Sequence, residues 1–302
     1  MFDQLGRFLR RIGEKGQGKG KYQSILDFCF SPDEQKIYIL ASDLPDTRYL
    51  EYEINGNIVT ETTIDSVPTQ ILPLTNELFV FHCGNYPAVM ASSVDQSLII
   101  TDLKSKWRYY QNYQKRYNNA KIAVLRSPFY LYQGNMRFME FGVDTLYTVT
   151  EEKLIPYSIF LLGKKEIPHD VSIQELQTPK YSGHVWILDI LEEKDNFYVK
   201  MVMRSNRLLY GFHNKSGNLS KVIGHQGFQN DIDGGLSFFP KYIFNDSILV
   251  DYVIANDLHE HVLNSNEAKM KKQYGKNYDD LVKLLNNIED KSNPIVILVK
   301  KY

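Results

Sequence analysis

One acidic run in this chain that could hold a ligand is Asn230-Asp231-Ile232-Asp233-Gly234-Gly235. Two carboxylates one residue apart, followed by two glycines, could hold a calcium ion or sugar hydroxyls, because hard cations take carboxylate oxygens. An EF-hand register would place Gln229 at its first ligand position and Pro240 at its last. Neither supplies the required carboxylate, so that motif fails. A non-EF calcium or sugar site on Asp231 and Asp233 stays open. Beside it stands a plainer reading, a tight turn in which the Asp side chains cap backbone N–H groups. The glycines precede the run Leu236-Ser237-Phe238-Phe239 and predict either positive φ or a close approach by another backbone or a ligand.

Other reactive residue types fall short of a motif. Gly13-Glu14-Lys15-Gly16-Gln17-Gly18-Lys19 nearly spells a phosphate loop, but Gly20 stands where a magnesium-binding hydroxyl belongs, and a strand follows rather than a helix. It reads as a glycine turn. His259-Glu260-His261 is not a zincin motif, and two histidines at i and i+2 diverge on a helix, so they read as solvated polar residues. Ser237 lacks the trailing glycine of a nucleophile elbow. Cys29 lies in an apolar strand and Cys83 at a strand end, and both read as packing residues. Arg108, Lys115 and Arg116 alternate with Trp107, Tyr109, Tyr110, Tyr113 and Tyr117. Such alternation can stack nucleic acid, yet it is also the pattern of a half-exposed strand.

Charge decides between those two. The 302 residues carry 35 Lys+Arg against 36 Asp+Glu, a net charge of −1, so nothing draws the chain to polyanions and nucleic acid is not an expected partner. A 43% hydrophobic and 24% charged composition is that of a folded globular chain. Two cysteines cannot build a disulfide framework or a four-cysteine zinc site. No apolar run is long enough for a transmembrane helix. The opening residues, with Arg7, Arg10 and Arg11 among the apolar ones, are not a signal peptide, so the chain at face value is cytoplasmic.

The elements that carry these residues are mostly short strands. Ile25–Phe30, Lys36–Ala41, Arg48–Ile54 and Ile58–Ile64 alternate with turns, and Asn55-Gly56 between two of them is a hairpin signal. The block is a four-stranded meander. It recurs: Phe2–Phe8 aligns with Tyr52–Ile58 at an offset of 50, and Thr101–Trp107 follows 49 residues later. Phe212–Leu219 falls about two periods further, with Leu146–Leu162 between, a hairpin turning at Glu151-Glu152-Lys153. Four strands per repeat of about 50 residues is the signature of propeller blades. The predicted fold is therefore an all-β six-bladed β-propeller, residues 1–302 forming one domain with an incomplete first blade. Leu281, Leu284, Leu285 and Ile288 recur at i, i+3, i+4, i+7 and predict a helix over Asn277–Glu289. A shorter helix is expected at Asn256–Asn264, making a helical insertion of about 256–289. Asn293-Pro294 breaks the chain before a closing strand, Ile295–Val299.

These motifs carry a family resemblance. Phe2-Asp3 through Gly6, Phe8, Ile12, Gly13, Gly16 and Gly18 resembles the blade junction of NHL-like propellers. Phe30-Ser31-Pro32-Asp33 followed by Lys36-Ile37-Tyr38 resembles the blade opening of TolB-like propellers. Asp144-Thr145-Leu146-Tyr147, Gly227-Phe228 with Asn230–Gly235, Phe239-Pro240, and Asp290 with Asn293-Pro294 are similar to the bacterial six-bladed β-propeller lipoproteins, a family of largely uncharacterised function. Two departures stand out. Lys19-Gly20-Lys21-Tyr22 replaces a Pro-Gly-Glu-Tyr pattern, and the family pattern begins earlier, which implies a truncated start here. The resemblance implies a periplasmic or cell-surface binding protein without catalysis, for a small ligand, a glycan or a protein partner. Some six-bladed propellers instead hold a divalent cation in the channel as lyases, lactonases or hydrolases. For either reading the candidate ligand-binding residues are Asn230, Asp231, Asp233, His213, His225 and Arg204, with no catalytic residue or resident cofactor assigned.

Overall fold

The computed structural model describes residues 1–3, 7–43, 46–64, 68–83, 98–102, 108–109, 126–140, 142–166, 168, 178–203, 208–217, 220–224, 227–288 and 294–300. The chain divides into two compact units, Met1–Tyr181 and Ser182–Tyr302.

In the first unit, β1 (Glu14–Lys15) and β2 (Lys21–Tyr22) form a small parallel pair. Three antiparallel meanders follow in order. The first is β3 (Ser24–Phe30), β4 (Lys36–Asp43), β5 (Asp46–Glu53) and β6 (Ile58–Ile64). The second is β7 (Gln70–Pro73), β8 (Phe79–His82), β9 (Leu98–Thr101) and β10 (Arg108–Tyr109). The third is β11 (Phe129–Tyr132), β12 (Asn135–Phe138), β13 (Thr145–Val149) and β14 (Leu154–Ile159). The offset of 50 is realised in pairing: Phe2 bridges Phe8 just as Tyr52 pairs with Ile58.

Alternation explains how these sheets stack. Side chains on a strand point to opposite faces in turn. On β8, Phe79 and Phe81 join Cys29, Tyr38, Leu40, Tyr49 and Ile64 of the preceding sheet. Between them on the chain, Val80 turns the other way and joins Phe129, Met136, Phe138 and Val149 of the following sheet. A middle sheet buried on both faces cannot exist alone, which is the defining dependence of a blade. Leu40, fully buried, contributes about 2 kcal/mol by its removal from water. Phe79 meets Tyr38 and Tyr49 edge-on, with ring centroids 4.9 and 5.4 Å away.

The outer face of the first meander, Ile37, Ile39, Ala41, Leu50 and Tyr52, is covered by Ile12 and Tyr22. The glycine-rich segment folds here as a turn. The Gly20 N–H donates to Glu61 Oε2 at 2.8 Å, and Arg48 Nη1 donates to Glu61 Oε1 at 2.5 Å. This amide, with Arg48 beside it, holds the Glu61 carboxyl below the usual range. A depressed folded value means Glu61 adds stability above its unfolded titration, near pH ~4.3, and that this is lost as pH falls through the folded value. Glu61→Gln is expected to flatten the acid limb of a plot of melting temperature against pH. An unchanged slope would count against the pair.

In the second unit, β15 (Val185–Glu192), β16 (Asn196–Met203), β17 (Leu208–Asn214) and β18 (Ser220–Gly224) form another meander. A three-stranded sheet of β19 (Tyr242–Phe244), β20 (Ile248–Val253) and β21 (Ile295–Lys300) follows. Tyr198, Phe238 and Leu249 pack between the two sheets. Among the described residues β21 is an edge strand, with Val296 and Leu298 exposed.

Three helices lie between β20 and β21: α1 (Ala255–Leu263), α2 (Glu267–Tyr274) and α3 (Lys276–Asn286). The sequence predicts α1 and α3; α2 is an addition. Tyr278, Leu281 and Leu285 of α3 pack on Leu258 of α1; of the stripe that the spacing predicts, Leu281 and Leu285 are buried, Leu284 is exposed, and Ile288 lies beyond the helix, which ends at Asn286. The fold is a propeller-like all-β arrangement of small sheets with C-terminal helices.

Candidate functional site

The Asn230–Gly235 loop is clamped at its base. Phe228 and Phe238 exchange both backbone hydrogen bonds, at 2.7 and 2.8 Å. Gly227 precedes them with φ +87°. Within the loop the Asn230 side chain receives the N–H groups of Ile232 at 3.1 Å and Asp233 at 3.3 Å, and its Nδ2 donates to Asp233 Oδ1 at 2.7 Å. The same Oδ1 accepts the Gly235 N–H at 2.9 Å. Asn and Asp thus satisfy each other and the backbone, as side chains in Asx turns do.

The helices hold this loop from outside. His261 Nε2 lies 2.9 Å from the Gly234 carbonyl, and Asn277 Nδ2 donates to the Ile232 carbonyl at 3.0 Å. His259 Nε2 lies 3.2 Å from the Ile288 carbonyl. The two histidines diverge as expected, but each has a backbone partner and is half-buried rather than solvated. Gly234 has φ +76°, and a Cβ there would stand 2.6 Å from Met270 Cε and 2.8 Å from the Tyr274 ring. Gly235 has ordinary backbone angles, with Asn230 and Asp233 atoms 3.1 Å from where its Cβ would be. The expectation of positive φ therefore holds at Gly234, and the atoms that crowd both glycines are side chains rather than another backbone or a ligand.

Of the six candidates, the structure brings Asn230 and Asp233 together, with exposed Asp231 between them. His213 is on β17 opposite Phe197 rather than in this loop, the two rings stacked at 6.2 Å. His225 and Arg204 lie outside the described residues. So do Trp107, Tyr110, Tyr113, Lys115, Arg116 and Tyr117. Because Asp233 Oδ1 receives two donors, Asp233→Ala, which removes that acceptor, is expected to lower the melting temperature by a few degrees, on the scale of about 1 kcal/mol for such a bond. A calcium or sugar response that disappears without loss of stability would assign the carboxylate to a ligand instead.

A second constellation has no motif in the sequence. The first strands of the first unit's meanders are neighbours, β3 beside β7 and β7 beside β11. Asp27 on β3, just after a break in the strand register, accepts the Ile71 N–H of β7 at 3.0 Å through Oδ2. Its Oδ1 pairs with the Arg126 guanidinium, from the segment leading into β11. Beside Arg126, the Ser127 N–H donates to the Gln70 side-chain oxygen, Oε1, at 2.9 Å. Burial pushes the Asp27 carboxyl above its usual value, against the opposing pull of the Ile71 amide and Arg126. One signal does exist: Ile25-Leu26-Asp27 and Ile187-Leu188-Asp189 both set an Asp in an apolar first strand at a register break.

Cys29 and Cys83 are buried in the core between the first two meanders, and burial raises the Cys29 titration. Among the described residues no three His, Cys, Asp or Glu side chains are grouped to hold a metal ion. No helix among them is long and apolar enough to cross a membrane.

A search of curated proteins finds no match. Among solved structures, a candidate exported protein of Bacteroides fragilis aligns with 100% of this chain and 84% of its own, at 16% identity and a TM-score of 0.70. That likeness shows the fold. A Bacteroides caccae protein of unknown function aligns with 66% of this chain and 65% of its own at 9% identity, with a TM-score of 0.36. A candidate 6-phosphogluconolactonase of Bacteroides fragilis aligns over 74% and 75% at 9% identity, with a TM-score of 0.35. Neither score is high enough to carry an argument. The family profile described as a domain of unknown function, DUF4934, spans residues 1–300. Matched over nearly its whole length, the chain belongs to the DUF4934 family.

Proposed function

We propose that this chain is a non-catalytic binding protein of the bacterial envelope, a six-bladed propeller of the lipoprotein kind that its motifs resemble. The observation that carries the reading is the convergence of Asp27 on β3, Gln70 on β7 and Arg126 just before β11, linked by the Asp27–Arg126 pair, the Asp27–Ile71 bond and the Gln70–Ser127 bond. Strands fix a scaffold, and polar groups converging from several of them make a recognition site. The likeness to a candidate exported protein supports an envelope location. Residues 1–302 are read as one domain, which predicts a single cooperative transition in calorimetry.

The test has two arms. A thermal-shift screen with mono- and oligosaccharides and small organic acids should find a stabilising ligand whose effect weakens in Arg126→Gln. A screen for lactonase, lyase and hydrolase turnover with added calcium, magnesium or zinc should find none. Metal-dependent turnover, with a stoichiometric cation released by Asp233→Ala, would replace the binding reading by the enzyme reading. Immunodetection in cytoplasmic, periplasmic and membrane fractions tests the location.

A further inference from the structure

Arg126 is built unlike a surface arginine. Its side chain is 59% exposed, yet its Nη2 is anchored on Asp27, whose own side chain is only 14% exposed. Asp27 is itself fixed from behind by the Ile71 amide. The chain at Arg126 is held as well, since the next residue, Ser127, is 4% exposed and bonded through its amide to the equally buried Gln70. One guanidinium nitrogen is thus held on Asp27 while the side chain as a whole stays 59% exposed.

We propose that Arg126 receives the carboxylate of a small organic acid, at the binding site assigned above. This deepens the reading of a ligand-binding protein and rests on it. A guanidinium offers parallel N–H donors at the spacing of two carboxylate oxygens. A side chain already immobilised loses less freedom on binding. The charge balance selects the ligand further. Asp27 lies behind the arginine and offsets part of its charge, so a dianion gains less here than a planar monoanion that uses both oxygens. Asp27 acts as a positioning residue: it does not meet the ligand but sets the plane of the group that does.

D-glucuronate and D-glucose test this, since they differ only by the carboxylate. Calorimetric titration of the full chain should show glucuronate binding, with glucose at least about tenfold weaker, the scale of a charge-assisted bidentate pair. Arg126→Gln should remove that preference. Arg126→Lys, which keeps the charge without the fork, should retain part of it. Asp27→Asn should weaken glucuronate binding and leave the chain folded, because an amide oxygen still accepts the Ile71 N–H. No response to glucuronate, equal response to glucose, unchanged binding in Arg126→Gln, or inorganic phosphate binding as tightly as glucuronate overturns the proposal. A neutral sugar bound at Arg126 without glucuronate would sink the carboxylate alone and leave the binding function standing. If nothing in the broader screen binds, both fail.

Discussion

Replacing Gly227 with alanine is expected to cost about 3 kcal/mol or more. The residue has φ +87°, where a side chain is strained in any surroundings, and its Cβ would stand 2.6 Å from the Phe238 carbonyl oxygen. That oxygen belongs to backbone and accepts the Phe228 N–H, so it cannot retreat without opening the clamp under the Asn230–Gly235 loop. Gly134 is the control. It has φ +73° with nothing within 4 Å of where a methyl group would sit, so Gly134→Ala should cost only the strain, about 1–2 kcal/mol. The two variants compared by urea unfolding separate strain from collision. Equal losses would show that the clamp yields.

The second large effect is expected at Asp251, which is 4% exposed on β20. Its carboxylate accepts the N–H groups of Phe239 at 3.1 Å and Tyr252 at 2.7 Å and the Lys241 ammonium. Asp251→Ala leaves the Phe239 amide without its acceptor beside the core of the second unit. Breaking a buried charged network in this way costs about 3 kcal/mol. Lys241 suffers less, because it is 47% exposed and also donates to the Tyr252 carbonyl at 2.8 Å. Lys241→Met should therefore be much milder than Asp251→Ala. Hydrogen exchange at the Phe239 amide should accelerate in the aspartate variant. If the lysine variant is the more damaging, the ion pair and not the amide capping carries the stability.

Strand positions are readable from sequence because alternation and turn chemistry are local. The pattern predicts Arg48–Ile54 and Ile58–Ile64 around Asn55-Gly56, and the strands run Asp46–Glu53 and Ile58–Ile64. The helix Glu267–Tyr274 escapes such a reading because it has no buried residue and so writes no apolar stripe. Gly234 is legible for a similar reason to the strands, since a demand for positive φ marks one residue type. The Asp27–Arg126 pair is not. Its members are 99 residues apart, and only the stacking of successive sheets brings them together. His259 and His261 show the converse: the divergence follows from helical spacing, but the carbonyls they meet, on Ile288 and Gly234, come from elsewhere in the chain.

The edge strand β21 has a consequence for handling the protein. Ile295–Lys300 reads Ile-Val-Ile-Leu-Val-Lys, without proline, glycine or a bulge, and its single charge stands at the end. Native sheets normally guard such an edge with charges or distortion. A six-residue β-branched stretch with little charge is also the composition of cross-β zippers. Fibril seeding in concentrated or partly unfolded samples should begin at this hexapeptide, and lysine at Val296 or Leu298, on the exposed face, is where a gatekeeper would suppress it without entering the core.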